Sequence, residues 1–351
     1  MPIEARRAYR LALTVALALA GAYAMQLPMP FLAPLLVFFL GARPAPPMGP
    51  KGLLVASLVL MLTLGVGLLL VPLLQSYALA AVLIVAVGLY LSNYLALRHG
   101  KAALGMLLTV GLTMISAAGQ ASYVLATTVI QALVVGFALA VVCQWLVYPW
   151  FPEDPAPARP AQAAPTSTMA SRWLAARAML VMLPAYLLAV INPAAYMPLV
   201  MKAASLGQQD SVSSARDAGR ELLGSTFLGG CFAVLFWFGL KLHPTLWMFF
   251  LWMLLLGLYF GAKLFGVVAS RYPPSFWMNT AVTMLIMLGP AVEDSANGKD
   301  VYQAFMVRMG LIVIVTLYAW LAISLLEHWR LRMRMRRRGP DDQLYPLTET
   351  A

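Results

Sequence analysis

The chain carries little charge and very few cysteines or histidines for its length. Charged residues make up 11% of its 351 residues, and hydrophobic residues make up 62%. Because a water-soluble domain carries roughly a quarter charged residues, this composition excludes an ordinary soluble fold. The two cysteines, Cys143 and Cys231, both lie in apolar segments, and the three histidines are scattered over different loops. We therefore expect neither a disulfide framework nor a metal site.

Signatures of enzyme chemistry are also missing from the sequence. It contains no GxxxxGK(S/T) phosphate-binding loop, no HExxH zinc motif and no Ser/His/Asp constellation. We therefore predict a protein without cofactor and without enzymatic activity. The net charge of +11 could suggest a nucleic-acid partner, but no recognition motif accompanies the basic residues, and we predict none.

Apolar segments of membrane-spanning length fill most of the chain. A helix that crosses the hydrocarbon core needs about 20 residues. The pattern predicts an all-α polytopic membrane protein with about twelve transmembrane helices. The predicted spans are about 9–26, 30–41, 53–70, 77–97, 103–116, 123–148, 173–191, 194–206, 221–240, 245–268, 276–292 and 301–327. The first follows three arginines, as a signal peptide would, but because many spans come after it we predict that it is not cleaved.

Basic residues fall mainly in segments that would lie on one side of the membrane. Of the 24 lysines and arginines, we place 20 there. Lys241 and Lys299 lie on the opposite side, and Lys263 and Arg308 lie within spans. Because positively charged loops stay in the cytoplasm, we predict a multi-pass protein of the bacterial inner membrane with both termini cytoplasmic. The arginine-rich tail is expected to bind anionic membrane lipid.

The order of spans and loops occurs twice. Gly88–Tyr90 matches Gly257–Tyr259 at an offset of 169 residues, and Thr113 with Met114 matches Thr283 with Met284 at an offset of 170. The predicted organisation is a six-span repeat at 1–148, a Pro/Ala-rich cytoplasmic linker at 149–171, a second six-span repeat at 172–329 and a basic cytoplasmic tail at 330–351. We expect the linker to bury nothing. Tandem repeats of this kind are a common plan of transporters.

Small residues recur at four-residue spacing in equivalent spans of the two halves. Gly257 and Gly261 form a GxxxG motif, and Gly88 and Ser92 take the same places one repeat earlier. This spacing puts both small side chains on one helix face, where another backbone can approach closely. The motif favours tight packing of neighbouring helices, with a gating or dimer contact as the alternative.

Charges within spans bear most directly on function, because a cation at mid-bilayer costs at least about 2.5 kcal/mol. Lys202, Lys263 and Arg308 lie near or within spans, where they could snorkel to the interface or face a cavity. For Arg308, the alternatives are snorkelling outward toward Asp300 or Asp294, or facing an internal cavity where it would grip a carboxylate. Polar residues of the eleventh span could add hydrogen bonds, although its threonines could instead bond their own helix. The predicted substrate-binding residues are Arg308, Lys202, Lys263, Asn279 and Thr283.

The acidic residues are placed outside the spans. We predict that Glu293, Asp294 and Asp300 form a net acidic loop with Lys299 on the side opposite the basic loops. No carboxylate is predicted at mid-span, so the sequence indicates no simple acidic proton relay.

Three segments carry a resemblance to a known family: RELLGSTFLGG (Arg220–Gly230), MLGPAVEDSANGKDV (Met287–Val301) and AFMVRMG (Ala304–Gly310). Together with the six-span half and its short second helix, they resemble the fusaric-acid-resistance and aromatic-acid-exporter superfamily. The chain is most similar to a small bacterial branch with two six-span halves. The resemblance implies export of aromatic or other organic acids driven by the proton gradient, and a periplasmic membrane-fusion protein as partner.

Three functions remain open from the sequence. The first is an exporter of small organic anions in which Arg308 holds the substrate charge and Lys202 and Asn279 line the path. The second is a passive anion channel, for which a homodimer is a natural assembly. The third is a non-transporting membrane scaffold of an efflux complex.

Overall fold

The computed structural model describes residues 1–42, 45–100, 102–153, 168–193, 196, 200, 203, 215–296 and 301–337. Within these ranges the regular structure is entirely helical. The helices are α1 Ile3–Ala24, α2 Leu32–Gly41, α3 Pro50–Leu69, α4 Val71–Ser76, α5 Ala78–His99, α6 Ala102–Val110, α7 Ser116–Ala121, α8 Tyr123–Val147, α9 Thr168–Ile191, α10 Ala215–Leu242, α11 Leu246–Leu264, α12 Pro274–Ala296 and α13 Val301–Arg337. A π-helical turn, Gly111–Ile115, joins α6 to α7.

Nine helical segments in the described ranges are long and apolar enough to cross a membrane. They are Pro50–Ser76, Ala78–His99, Leu104–Ala121, Tyr123–Val147, Ser171–Ile191, Glu221–Leu242, Leu246–Leu264, Pro274–Ser295 and Val301–Arg330. Because a helix satisfies all its backbone hydrogen bonds internally, it can cross lipid where an open strand cannot. The chain therefore has the architecture of an all-helical, multi-pass membrane protein.

The helices fall where the apolar pattern placed spans, with some different boundaries. Two of the predicted spans, 9–26 in α1 and 30–41 in α2, are not among these nine segments, and α2 is a shorter apolar helix. The eighth predicted span, 194–206, lies largely outside the described residues, so the count of twelve stays a prediction. The turn expected around Pro72 is helical: Pro72 lies in the first turn of α4, where its missing N–H breaks no helical bond. The second repeat is predicted at 172–329. The helices at its two ends extend beyond these positions, since α9 begins at Thr168 and α13 continues to Arg337.

Helix α1 lies in the core of the bundle. Ala12, Val15 and Ala16 are completely buried, and α1 packs more extensively against α11 than against any other helix. A side chain on Gly257 or Gly261 would meet the backbone of α1 about 3.1 Å away, at Ala12 and Ala8 respectively. The GxxxG motif thus serves close packing within the chain, as the favoured interpretation predicted. Its predicted counterpart on α5 faces the fifth span instead, because Gly88 packs against Leu112 and Ser92 bonds Thr109.

Replacing Gly261 by leucine is expected to destabilise the protein by about 1–3 kcal/mol, because the new side chain would overlap α1 and force the two helices apart. The measurement is thermal unfolding of the detergent-solubilised protein. Gly65→Leu in α3 is the matched control, since a side chain there meets no atom within 4 Å. An equal loss of stability in both variants would contradict the assignment.

The first and last long helices of each predicted half meet at the same end of the bundle. Arg7 and Arg10 at the start of α1 form ion pairs with Glu153, six residues beyond the end of α8. Near the start of α9, Arg177 lies 2.7 Å from Glu327 near the end of the apolar part of α13. Each set of helices therefore begins and ends on one face of the membrane region.

Candidate functional site

Helices α12 and α13 are joined by an ion pair between Asp294 and Arg308. Arg308 lies about two turns into α13, and its Nη2 is 2.6 Å from Oδ2 of Asp294. The arginine side chain is 18% exposed and the aspartate side chain 11%. The second terminal nitrogen of Arg308, Nη1, is buried and has no hydrogen-bond partner among the residues that the structure describes. A buried donor left in this state is costly, so an anion that reached it would be stabilised.

Glu293 adds a second carboxylate beside this pair. It interacts electrostatically with both Asp294 and Arg308. We predicted that Glu293 and Asp294 lie in a loop, and this prediction is wrong: α12 continues through both residues to Ala296, and Asp294 is buried. Neighbouring acidic residues such as Glu293 and Asp294 usually mark the end of a membrane span. Here Arg308 of the next helix pairs with Asp294, so this carboxylate can stay buried within the helical hairpin. Of the alternatives considered for Arg308, pairing with Asp294 is confirmed.

Aromatic side chains from two other helices lie around these charges. Glu293 acts electrostatically on Tyr23 of α1, whose hydroxyl is buried and has no hydrogen-bond partner within the described ranges. The Tyr23 ring lies 4.9 Å from that of Phe249, between centroids. One turn before Glu293, Gly289 leaves room for the ring of Phe31, which a side chain at this position would overlap. We call Tyr23, Glu293, Asp294 and Arg308 the Arg308 cluster. It combines a cation, two carboxylates, a hydroxyl and a nearby apolar aromatic surface.

The predicted site residue Lys263 lies elsewhere. It belongs to the last turn of α11, its Nζ donates a 2.9 Å hydrogen bond to the carbonyl of Ala269, and it lies 5.8 Å from the centroid of the Trp277 ring. Because α11 ends at Leu264, the lysine lies at the end of a span, where its charge can reach the interface. The structure therefore does not bring Lys263 to the Arg308 cluster. Lys202, another predicted site residue, lies outside the described residues.

Asn279 and Thr283 are both buried in the first half of α12, with 8% and 0% of their surface exposed. The hydroxyl of Thr283 donates to the carbonyl of Asn279 at 2.7 Å, as expected for a threonine that bonds its own helix. Thr283 and Asp294 are eleven residues apart, which is about 16 Å along a helix. The predicted site residues that the structure describes therefore do not form one site. Arg308 of α13 lies beside the C-terminal end of α12, whereas Asn279 and Thr283 lie in the first half of α12.

A second polar feature joins the two predicted halves near the π-helical turn. Ser92 on α5 lies 3.1 Å from the hydroxyl of Thr109, whose carbonyl accepts from Thr113 at 2.7 Å. One turn further, the hydroxyl of Ser116 lies 3.3 Å from that of Tyr186 on α9. All five residues are almost completely buried. This seam carries no formal charge, so it can line a path but cannot hold an anion by charge.

Glu153 was missed because it lies in the Pro/Ala-rich segment that we expected to bury nothing. Only 4% of its surface is exposed, and it accepts hydrogen bonds from Nε of Arg7 at 2.6 Å and from Nη2 of Arg10 at 2.7 Å. Burial acts to raise the pKa of Glu153, but these bonds and the two positive charges outweigh it, so the pKa is lowered. The sequence signal that could have revealed the buried position of Glu153 is Phe151, an aromatic residue just before it. In the structure, Phe151 stacks on Tyr9 of α1.

Part of the chain matches a known family model. A family model described as a protein of unknown function, DUF2955, matches residues 7–147, so this part of the chain is similar to that family. The match ends at the last residue of α8. No curated protein and no solved structure matches the chain.

Proposed function

We propose that the protein is an inner-membrane transporter that exports small organic acids, aromatic acids among them, driven by the proton gradient. The observation that carries the proposal is Nη1 of Arg308, a buried cationic donor without a partner in the described ranges. Arg308 would hold the carboxylate of the substrate, since a guanidinium matches a carboxylate in shape and charge. Phe31 and Tyr23 would offer apolar surface to its organic part.

The resemblance to the fusaric-acid-resistance and aromatic-acid-exporter superfamily supports this substrate class. Two of the segments that carry it, Met287–Val301 and Ala304–Gly310, contain all three charged residues of the Arg308 cluster. These two segments therefore include the part of the chain in which charge gathers between α12 and α13, whereas the third, Arg220–Gly230, lies in α10. The proposal of a periplasmic membrane-fusion partner rests on this resemblance alone.

For the architecture, we propose about twelve helices in two tandem repeats of six. Reciprocal packing supports this: α1 packs against α11, and their counterparts α9 and α5 also pack against each other. In each half, arginine of the first helix also pairs with a glutamate that lies on the last helix or just beyond it, Glu153 after α8 and Glu327 on α13. A stacked aromatic pair accompanies each contact, Tyr9 with Phe151 and Trp173 with Trp329. The family match ends where the first repeat would end.

We also propose the orientation, with both termini in the cytoplasm of a bacterium. Most cations lie in segments that would share one side, and the arginine–glutamate pairs lie at that end of the bundle. The Arg308 cluster lies at the other end of the same helices, so it would be near the periplasmic surface. A released substrate would leave from there.

A passive anion channel, as a homodimer, is the second candidate. The Arg308 cluster favours it in one respect, since an arginine with an open donor attracts anions whether or not transport is coupled to protons. A scaffold without transport would use Arg308 only for its ion pair with Asp294.

Flux measurements in proteoliposomes are expected to distinguish these functions. With an imposed pH gradient, a coupled transporter should accumulate radiolabelled 4-hydroxybenzoate inside the liposomes to several-fold its concentration outside, because the proton gradient supplies the free energy. A channel should only equilibrate the probe, and a scaffold should match protein-free liposomes, which are the control for passive permeation. Equilibration without accumulation would contradict coupling, and flux equal to that of empty liposomes would contradict transport.

A further inference from the structure

We propose that the loop between α11 and α12 binds the headgroup of an anionic phospholipid, with Lys263 holding its phosphate. Both helices are long and apolar enough to cross a membrane, so the loop that joins them, residues 265–273, lies at a membrane surface. Lipid binding there needs no transported substrate, so the site goes beyond the proposed function and does not depend on it.

An open groove of about 310 Å³ lies at this loop. Lys263 lines it from the last turn of α11, and Val268, Ser270 and Tyr272 line it from the loop. Small-molecule sites occupy roughly 300–1,000 Å³, so the groove has room for a small group such as a lipid headgroup. The described residues that line it include one cation and no carboxylate. The charge of the groove therefore favours an anion.

The loop folds back over the end of α11 and orients the lysine. Gly266 has a φ of 76°, a left-handed conformation that glycine adopts without strain, and the N–H of Val268 donates to the carbonyl of Ala262 at 3.2 Å. This turn brings the carbonyl of Ala269 within 2.9 Å of Nζ of Lys263. An ammonium has three N–H donors, and this bond uses one of them. Lys263 is thus held at the groove and can still donate to a phosphate.

Ser270 supplies a hydroxyl donor to the same groove. Its Oγ accepts a hydrogen bond from Nε1 of Trp277 at 2.8 Å and another from the backbone N–H of Tyr272 at 3.1 Å. A hydroxyl has two acceptor lone pairs and one hydrogen, so with both lone pairs in use the hydrogen is left to donate. The ligand that complements Ser270 and Lys263 together is a charged group with several acceptor oxygens, such as a phosphate.

Apolar side chains border the groove and point to a lipid as the source of that phosphate. Tyr272 is 55% exposed, and its ring stacks on that of Phe276 with 4.2 Å between centroids. Val267 and Val268 are also exposed beside it. Tyrosine and tryptophan favour the membrane interface, where an aromatic ring can contact the apolar part of a lipid while its polar atoms face the headgroups. A free phosphate would use only the polar side of the groove.

The charge around the loop favours an anionic headgroup over a zwitterionic one. Arg271 adds a second exposed cation, and the loop contains no acidic residue. One carboxylate lies close by, since Ser275 at the start of α12 donates to Glu221 of α10, and the two cations outweigh it. A phosphatidylcholine headgroup carries a cation of its own, which Lys263 and Arg271 repel. We therefore expect phosphatidylglycerol to bind better than phosphatidylcholine.

Photolabelling of the full-length protein in phosphatidylcholine vesicles tests the site. The vesicles contain a minor fraction of phosphatidylglycerol with a photoreactive headgroup, and mass spectrometry of the digested protein locates the label. In the wild type we expect label on the loop between α11 and α12, with competition by unlabelled phosphatidylglycerol but not by extra phosphatidylcholine or inorganic phosphate. Lys263→Gln keeps the length of the side chain and removes its charge, so it should lower labelling of the loop about fivefold.

Lys241→Gln is the matched control for this variant. Lys241 also lies in the last turn of its helix, α10, and its Nζ is 5.1 Å from the centroid of an aromatic ring, that of Tyr302. Lys241 lies at the other end of the bundle, so its replacement should leave labelling of the loop between α11 and α12 unchanged.

Several results would overturn the inference. A wild-type loop that takes no label, or from which phosphatidylcholine competes as well as phosphatidylglycerol, would show no preference for an anionic lipid. Competition by inorganic phosphate at the same level would mean a site for free anions. Neither measurement needs a variant to fold. Labelling that survives unchanged in Lys263→Gln would remove this lysine from the site. Flux measurements bear on the proposed function alone, so either proposal can fail without the other.

Discussion

Arg308→Ala is expected to lower organic-anion flux at least tenfold while the protein still inserts in the membrane. Arg308 is the cation of the cluster, and its open Nη1 is the donor that an incoming carboxylate would meet. A hydrogen bond to a charged group contributes about 1.5–3 kcal/mol, which corresponds to roughly 10- to 150-fold in binding. Flux of 4-hydroxybenzoate in proteoliposomes, normalised to the amount of reconstituted protein, measures the effect.

Two further variants separate the loss of the anion receptor from a loss of stability. Arg308→Ala leaves Asp294 buried without its cation, so the double variant Arg308→Ala/Asp294→Asn should recover thermal stability but not flux. Arg177→Ala is the matched control, because it breaks a similar ion pair, with Glu327, at the other end of α13. It should lower stability and leave the flux per inserted molecule nearly unchanged. Unchanged flux in Arg308→Ala would remove this residue from the site.

The helical architecture was predictable because long apolar segments have few other uses. An apolar segment of about 20 residues predicts a span whatever its neighbours are, and the structure has helices where these segments lie. Arg308 could be singled out for the same reason, since an arginine within an apolar helix is costly unless something compensates it. Both predictions depend on local composition, and the sequence displays this directly.

Contacts between helices could not be predicted in this way. Asp294 is fourteen residues from Arg308, and only the hairpin of α12 and α13 brings the two together, so the aspartate looked like a loop residue. Glu153 was hidden because proline and alanine dominate the segment around it, although its partners are on α1. Lys263 looked internal because the apolar pattern runs past Leu264, where α11 ends. In each case the decisive fact is where a chain segment ends or what faces it, and neither is a property of local composition.

Glu153→Gln is expected to destabilise the protein by about 2 kcal/mol. Glutamine keeps the shape of the side chain but removes the charge that Arg7 and Arg10 share, so two cations are left next to each other. Breaking a buried pair costs about 3–5 kcal/mol, and the cost here is smaller because both arginines reach water. The measurement is thermal unfolding in detergent at neutral pH. Glu4→Gln is the matched control. Glu4 is an exposed acid in the first turn of α1, the helix that carries Arg7 and Arg10, and its replacement should leave stability nearly unchanged.

The same glutamate predicts how stability depends on pH. Because the folded protein lowers the pKa of Glu153, its ionised form contributes stability above the ordinary glutamate pKa of about 4.3. That contribution should decline as the pH falls below this value and disappear below the lowered pKa of the folded state. The stability difference between wild type and Glu153→Gln should therefore be constant near neutral pH and shrink in acid. The stability difference could instead stay constant at a pH below the lowered pKa of the folded state. That result would mean that the charge of Glu153 does not hold α1 to the segment after α8.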